Sequence, residues 1–324
     1  MSEIRIDPLS GQRVIVADGR AARPGSGLDV VHGVPPGEVD DPFAEGNEAS
    51  TPPEVYAVRD GSAPDTPGWR VRVFPNLYPA LEPDAPDPAP SGVPDLFWSG
   101  PARGAHEVIV NAPDPVMSLA DLEPDQVSLA VEVWRERMRA HADAACLHLS
   151  VNEGHDAGAS VPHTHAQLFA LEFVPAAIAR ERERFGAYTT RTMGGNLLGD
   201  LVQQEVRRRE RIVAIDGEAV LMAAYGARGP YQLMLAPRVP RPRFEEDGPS
   251  AAALLHDALR RLRRRLGADV PLNLWVRTAP RGAEQFCWRI DIVPRLTNLA
   301  GFELGTGVGL NIVDPEQAAA ELRD

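Results

Sequence analysis

The 324-residue sequence predicts an α+β fold of two tandem repeats, each a mostly antiparallel sheet with packed helices. A series of strand, Pro-bearing turn, helix and two further strands occurs twice. The spacing within the series is also nearly constant, since His106 precedes His163 by 57 residues and Tyr231 precedes Cys287 by 56. Both helices carry apolar residues at i, i+4, i+7 and i+11, which is one helical face. These agreements favour a duplication over two unrelated α+β domains.

The first repeat follows two stretches rich in Pro, Gly, Asp and Ala, residues 24–68 and 82–95, which predict mostly loop. Its first strand and turn span 106–115, and its last two strands span 146–154 and 161–171. The helix between them presents an apolar face that we expect in the core, formed by Val127, Val131, Trp134 and Met138.

The second repeat has its first strand at 231–240 and its last two strands at 271–280 and 285–295. Gly267 ends its helix. The apolar face of that helix is formed by Leu255, Leu259, Leu262 and Leu266.

Two charged, partly amphipathic helices are predicted between the repeats, at 170–188 and 196–212, joined through Gly194 and Gly195. We therefore predict two domains, residues 1–193 and residues 194–324. The first carries a His-x-His-x-Gln motif, and the second is a repeat of the same type that lacks the histidines.

Composition excludes several classes of protein. The net charge of −13 argues against nucleic-acid polymers as partners, since these require a basic surface. No apolar run approaches the roughly 20 residues that span a bilayer, and the N-terminal residues do not have the pattern of a secretion signal. The two cysteines, Cys146 and Cys287, fit a reducing compartment. We therefore expect a soluble cytoplasmic protein in which local arginines hold any anionic ligand.

The stretch 161–171, VPHTHAQLFAL, contains the most informative residues. Alternate side chains of a strand share a face, so His163, His165 and Gln167 are expected to point the same way. The second repeat has Cys287-Trp288-Arg289 at the place of His-Thr-His. The histidines therefore have a local cause rather than a requirement of the fold.

A loop of small residues, 152–160, leads into this strand and would let a phosphate approach backbone N–H groups. Together the loop and the strand suit phosphoryl transfer. One imidazole nitrogen would attack phosphorus, the other would be held by a backbone carbonyl, and an amide would contact a phosphate oxygen. From the residues alone, two alternatives stay open: a pair of partly buried histidines, or two metal ligands. His106, His148 and Cys146, which lie among apolar strand residues, are expected to serve packing.

The chain resembles the galactose-1-phosphate uridylyltransferase family, the branch of the histidine-triad superfamily built from two fused repeats. The similarity covers most of the chain and includes relatives such as ADP-sugar phosphorylases. It is carried by several ordered segments, namely RIDPLSGQRVIVADGRAARP, DPFAEGNE, WRVRVFPNLYPAL, HEVIVNAPDP, NEGHDAGASVPHTHAQ and PRLTNLAGFELGTGVGLNIVDPEQAAAELR.

The resemblance implies ping-pong transfer of a nucleoside monophosphate through a histidine, in a homodimer. It identifies His165 as the nucleophile and Gln167 as a phosphate contact, with His163 as the first histidine of the motif. Arg20 and Arg23 match a pair of arginines that approach the phosphates, commonly from the neighbouring subunit. The remaining predicted substrate contacts are Asn152 and Ser160 of the phosphate loop, Phe74 and Asn76 beside the nucleoside, and Phe302 and Glu303 at the sugar hydroxyls.

Both metal sites of the family are altered, so we expect no metal and no other cofactor. Asp41-Pro42-Phe43-Ala44 stands where many members have Cys-Pro-x-Cys, and Pro115 replaces a third zinc ligand, so only His163 remains of the four, although Asp41 could still offer an oxygen ligand. At the second metal site Glu181 remains. Its histidine partners are replaced by Arg277, Cys287 and Arg289, and an arginine there would supply the positive charge of the metal.

Three functions follow as hypotheses. The first is a nucleotidyltransferase that moves a nucleoside monophosphate from a nucleoside diphosphate sugar to a sugar 1-phosphate. The second keeps the covalent histidine but uses inorganic phosphate, as a phosphorylase of nucleoside diphosphate sugars or dinucleoside polyphosphates. The third is a non-catalytic nucleotide-sugar-binding protein. The sequence leaves open the base, the sugar and the pathway, whether galactose metabolism or another.

Overall fold

The computed structural model describes residues 2–17, 41–89, 92–93, 96–248, 251–267 and 270–323. The strands up to residue 171 are β1 (Glu3–Ile6), β2 (Arg13–Val16), β3 (Tyr56–Arg59), β4 (Trp69–Pro75), β5 (Gly104–Val110), β6 (Cys146–Glu153) and β7 (His165–Leu171). The later strands are β8 (Ile212–Ile215), β9 (Ala219–Ala223), β10 (Leu233–Pro237), β11 (Leu272–Arg277), β12 (Arg289–Pro294) and β13 (Gly309–Asn311). The helices are α1 (Pro124–Ala140), α2 (Ala176–Thr192), α3 (Leu197–Arg208), α4 (Ala252–Leu266), α5 (Gly301–Thr306) and α6 (Pro315–Arg323).

Ten of these strands form one antiparallel sheet, in the order β3-β4-β5-β7-β6-β11-β12-β10-β9-β8. A small second sheet has the order β1-β2-β13, and β13 runs parallel to β2. The predicted α+β class with mostly antiparallel sheets is confirmed.

The duplication predicted from the sequence is present in the strand order. The predicted strands of the first repeat lie in the order β5-β7-β6, and those of the second lie in the matching order β10-β12-β11. The repeats meet where β6 pairs with β11, through register partners that run from Leu272 with Glu153 to Val276 with Leu149. Because one sheet runs through both repeats, the domain boundary at residues 193 and 194 stays a prediction. Gly194 and Gly195 do join α2 to α3, as expected.

Helices α1, α4 and α6 pack on one face of the large sheet. The predicted apolar face of α1 is buried, and burial of one large apolar side chain such as Trp134 stabilises the fold by about 1.5–3 kcal/mol. The Trp134 Nε1–H also donates to the side-chain oxygen of the buried Asn111 at 3.0 Å. Gly267 follows α4 with φ +100°, a value that few other residues adopt, so the predicted helix end is confirmed.

The opposite face of the sheet differs between the two repeats. In the second repeat α2 and α3 cover it, with Phe185, Leu198 and Val202 in one apolar cluster with Met222 and Met234 of the sheet. In the first repeat this face carries His165 and Gln167 of β7; His163, predicted to lie on the same strand, precedes β7. Both repeats keep polar groups on this face, but those of the second repeat, Arg289 and Asp291, are buried beneath α2.

The chain differs from its predicted organisation near the N-terminus. Strand β3 lies inside the stretch predicted as mostly loop, and residues 24–40 of that stretch lie outside the described residues. β3 pairs with β4, the next strand along the chain, at the edge of the sheet, with Tyr56 opposite Val73. Among the described helices, none has both the length and the apolar character needed to cross a membrane.

Candidate active site

His165 is the first residue of β7 and is 4% exposed. Its Nδ1 lies 2.8 Å from the backbone oxygen of His163, which can only accept, so Nδ1 carries the hydrogen. Burial lowers the pKa of His165, which favours the neutral ring. The Nε2 atom therefore keeps its lone pair, which is the form of imidazole that acts as a nucleophile.

His163 is fully buried and points both ring nitrogens at oxygen atoms. Nδ1 lies 2.8 Å from Oδ2 of Asp41, and Nε2 lies 2.8 Å from the backbone oxygen of Ala112. Burial of Asp41 acts to raise its pKa, but the hydrogen bond and charge of His163 outweigh burial and lower it. Asp41 is therefore a carboxylate that pairs with His163 across 122 residues of sequence.

The residues at the family's zinc position do not fit a zinc ion. Both nitrogens of His163 already face oxygen partners, so neither presents a lone pair to a metal. Phe43, Ala44 and Pro115 offer no side-chain ligand, and a structural zinc needs four. Within the described part of the chain, no cluster of three or more His, Cys, Asp or Glu could hold a metal ion.

Phe43 forms a wall beside the predicted nucleophile. Its ring packs edge-on against the His165 imidazole, with centroids 5.1 Å apart and planes at 72°. On its other side it contacts Phe74 of β4, with centroids 5.6 Å apart. Phe74, predicted to lie beside the nucleoside, is buried, and the Phe43 ring contacts both Phe74 and His165.

Gln167 lies on the same face of β7 as His165, as predicted, because Ala166 and Leu168 belong to the core on the opposite face. The side-chain oxygen of Gln167 lies 3.0 Å from Nε2 of His106 on the adjacent strand β5. His106 Nδ1 accepts the Ala80 N–H at 3.1 Å, so its Nε2 carries the hydrogen and donates to Gln167.

The sequence did not predict this hydrogen bond: from the sequence, His106 was expected only to pack among apolar strand residues. His106 does stack on Phe169, with ring centroids 4.0 Å apart, and burial lowers its pKa. The available signal was strand alternation, which places His106, Val108 and Val110 on one face of β5, beside the face of Gln167.

Asn152 lies near the end of β6, one residue beyond Val151, whose register partner on β7 is Ala166. Its side-chain oxygen accepts an N–H of Asn273 at 2.7 Å, and the same Asn273 amide group donates to the backbone oxygen of Ala157 at 2.7 Å. Asn273 belongs to β11 of the second repeat. That repeat therefore braces the predicted phosphate loop, a role the sequence did not indicate.

The loop 152–160 is a tight turn. Gly154 and Gly158 have φ of +83° and +88°, values that favour glycine, and a Cβ at Gly154 would lie 3.1 Å from Pro271. The backbone N–H groups of residues 157, 158 and 159 bond within the loop and are not available to a phosphate. Ser160, at the end of the loop that leads to His163, is exposed.

The other predicted contacts are placed less closely. Asn76 lies beside His106, with its side-chain nitrogen 3.2 Å from His106 Nε2. Phe302 on α5 is 47% exposed, and Glu303 accepts the Ala300 N–H at 3.0 Å. The described residues show no contact between this pair and the group around His165. Arg20 and Arg23 lie outside the described residues.

At the start of β12, Arg289 takes the place in the second repeat that His165 has in the first. Its guanidinium forks onto both oxygens of the buried Glu181 at 3.1 Å and contacts Asp291 at 3.0 Å. Arg277 lies 3.4 Å from Glu181. Burial disfavours the charged forms of both Glu181 and Arg289. The opposite charges outweigh burial: the two arginines lower the pKa of Glu181, and the two carboxylates raise the pKa of Arg289. Two cations now surround the glutamate, so the family's second metal does not fit.

Two sequence models of known families match the chain. Residues 1–175 match the model described as galactose-1-phosphate uridyl transferase, N-terminal domain. Residues 121–324 match a model described as a domain of unknown function (DUF4921).

The similarity to individual proteins extends over nearly the whole chain. The chain is 27% identical over 335 residues to ADP-glucose phosphorylase of Arabidopsis thaliana, and the match covers 99% of this chain and 92% of that protein. It is 28% identical over 338 residues to galactose-1-phosphate uridylyltransferase of Haemophilus influenzae, covering 98% and 93%. The crystal structure of the Arabidopsis thaliana ADP-glucose phosphorylase with bound ADP-glucose matches with a TM-score of 0.83 at 26% identity, covering 100% and 99%.

Proposed function

Because the chain belongs to the galactose-1-phosphate uridyl transferase family, we propose that it is a nucleotidyltransferase acting through a covalent nucleotidyl-histidine on His165. It moves a nucleoside monophosphate from a nucleoside diphosphate sugar to a sugar 1-phosphate. The observation that carries this proposal is the 2.8 Å hydrogen bond from His165 Nδ1 to the His163 carbonyl, which leaves the Nε2 lone pair for attack.

The chemistry is a double displacement. The Nε2 lone pair attacks the α-phosphorus, forming an N–P bond while the bond from that phosphorus to the bridging oxygen breaks and sugar 1-phosphate leaves. The ring then carries a positive charge, which the His163 carbonyl stabilises through the Nδ1–H. A phosphate oxygen of the second sugar 1-phosphate attacks the same phosphorus, and the N–P bond breaks. The Gln167 amide N–H groups would stabilise charge on the phosphoryl oxygens in both steps.

We further propose the setting of this reaction. The enzyme acts as a cytoplasmic homodimer, uses no metal or other cofactor, and takes neither a nucleic-acid polymer nor a membrane as partner. Arg20 and Arg23 are proposed to neutralise the donor phosphates, and Phe302 and Glu303 to contact sugar hydroxyls. An arginine pair at the phosphates would offset the repulsion that a chain of net charge −13 exerts on an anionic donor.

A second candidate keeps the first half of the reaction and changes the acceptor to inorganic phosphate. It is favoured by the relative of 27% identity over 99% of this chain, which is an ADP-glucose phosphorylase. Under this candidate phosphate attacks the nucleotidyl-histidine and releases a nucleoside diphosphate. Product analysis of the labelled enzyme with phosphate or with glucose 1-phosphate separates the two acceptors.

The test is intact-protein mass spectrometry after brief incubation with UDP-glucose, UDP-galactose or ADP-glucose, at neutral to alkaline pH because phosphoramidates are acid-labile. We expect a mass gain equal to one UMP or AMP in the wild type and none in His165→Asn.

The matched control is His141→Asn. His141 follows α1 and lies 2.8 Å from Glu107, so it belongs to the face of the sheet opposite His165, and this variant should label like the wild type. Labelling of His165→Asn at the wild-type rate would refute the covalent mechanism. Binding of a donor without any adduct would instead indicate a non-catalytic binding protein.

A further inference from the structure

We propose that Asp41 is a positioning residue for nucleotidyl transfer, and that its carboxylate holds the groups around His165 by hydrogen bonds at the place of the family's zinc site. This inference rests on the proposed function, because Asp41 acts through the nucleophile His165. It starts from the finding that the residues at the family's zinc position do not suit zinc. Asp41 lies there instead, beside His163, both of whose ring nitrogens are engaged in hydrogen bonds.

Asp41 reaches His165 by two routes. Through Oδ2 it holds His163 at 2.8 Å, and the His163 backbone oxygen in turn accepts from His165 Nδ1 at 2.8 Å. Through Oδ1 it accepts the backbone N–H of Phe43 at 2.9 Å, and the Phe43 ring packs against the His165 ring. One carboxylate therefore fixes both the acceptor that sets the tautomer of His165 and the wall that limits rotation of its ring.

The surroundings make this arrangement rigid. The His163 side chain is 0% exposed and that of Asp41 is 11% exposed, so little water competes for their hydrogen bond. His163 is anchored on its far side as well, by Nε2 and the Ala112 backbone oxygen. The segment before β7 is fixed further by the buried Thr164, whose backbone N–H donates to Val116 at 2.8 Å.

Such positioning matters because attack on phosphorus needs the Nε2 lone pair in line with the bond that breaks. A displacement of about 1 Å can lower a rate by about 100-fold. A ring that loses its tautomer presents N–H instead of a lone pair. Loss of Asp41 is therefore expected to slow the chemical step and to leave donor binding unchanged.

The experiment compares Asp41→Ala and Asp41→Asn in the full chain. Adduct formation is followed over time with UDP-glucose or ADP-glucose, whichever labels the wild type. We expect Asp41→Ala to lower the maximal labelling rate by about 10- to 100-fold, with an unchanged half-saturating donor concentration. Asp41→Asn should restore the rate to within about fivefold, because its amide can accept from Phe43 and donate to His163 Nδ1.

Two further variants separate positioning from loss of fold. Phe43→Ala breaks only the second route and should also slow labelling at unchanged half-saturation. Asp247→Ala removes the acceptor of the Trp288 Nε1–H in the second repeat, a comparable partly buried hydrogen bond, and should label like the wild type.

Three outcomes would overturn the role of Asp41: wild-type labelling by Asp41→Ala, equal slowing by Asp41→Ala and Asp41→Asn, or an effect on half-saturation alone. If Asp41→Ala does not fold, the labelling rates of Asp41→Asn and Phe43→Ala decide whether Asp41 has the proposed role. A wild type that forms no adduct would refute the proposed function itself, and so the two failures are distinguishable.

Discussion

His106 donates its Nε2–H to the side-chain oxygen of Gln167 over 3.0 Å, from one strand to the next. Because this bond occupies the amide oxygen, the NH₂ group of Gln167 is the part of the side chain left to meet a phosphate. The orientation of Gln167 is thus set by a neighbour that makes no predicted contact with substrate.

The first prediction concerns this pair. Gln167→Met should lower the labelling rate by about 100-fold or more, the usual effect of losing one donor that stabilises developing charge. His106→Phe should keep the stacking on Phe169 and cost about tenfold, because the Gln167 amide then rotates freely. The effects should not add: in the Gln167→Met background, His106→Phe should change the rate little, as measured in a double-mutant cycle. Additive losses would mean that His106 acts independently of Gln167.

The second prediction concerns pH and Glu153, which is buried beneath Ser118 and Leu119. Burial raises the pKa of Glu153 to about 7, from 4.5. The raised pKa means that ionisation destabilises the fold, so the cost is absent below about pH 4.5, grows as pH rises towards 7, and is complete above about pH 7. In urea titrations, the free energy of unfolding of Glu153→Gln should therefore exceed that of the wild type by up to about 3 kcal/mol at pH 8. At pH 5 the excess should be less than about 1 kcal/mol. A pH-independent difference would contradict this assignment.

The third prediction concerns the buried ion pairs of the second repeat. Arg289→Met leaves the carboxylates of Glu181 and Asp291 without their main partner, and should lower the free energy of unfolding by about 3–5 kcal/mol. The double variant Glu181→Gln, Arg289→Met should recover part of this loss. Arg103→Met, which breaks a solvent-exposed pair with Asp87, should cost less than about 1 kcal/mol in the same urea titration. Equal effects at the two arginines would rule out the structural role given to Arg289.

The fourth prediction concerns the two thiols. Burial raises the pKa of Cys146 to about 11 and that of Cys287 to about 12, from 9.0. At pH 8 the native thiols should react with a disulfide reagent at least about 100-fold more slowly than after unfolding, since the thiolate is the reactive form. Rapid reaction of the native protein would show that one of these cysteines is more accessible than the structure indicates.

The elements with strong periodicity were predictable from sequence. The apolar faces of α1 and α4 decide those helices locally, and the alternation of β7 places His165 and Gln167 together. The carbonyl that holds the second nitrogen of His165 was also expected, although not that it belongs to His163 itself.

The contacts that orient these groups were not predictable, because they join residues far apart in the chain. Asp41 and His163 are 122 residues apart, and Asn152 and Asn273 are 121 apart. No local pattern encodes such pairs, because they depend on how distant segments are arranged around the sheet. Strand β3 was missed for a different reason: it pairs with the next strand along the chain, β4, but the stretch that contains it is rich in Pro, Gly, Asp and Ala.

The order of strands in the large sheet also says something about ancestry. Read from β3 inwards or from β8 inwards, the two halves give the same series, and the β6–β11 pairing lies at the midpoint. Two identical copies of a single repeat, related by a twofold axis, would build such a sheet by pairing the same strand from each copy. The two halves are no longer equivalent: the first carries His165, and the second has Arg289 at that place and supplies Asn273 to the first, so that neither half is complete without the other.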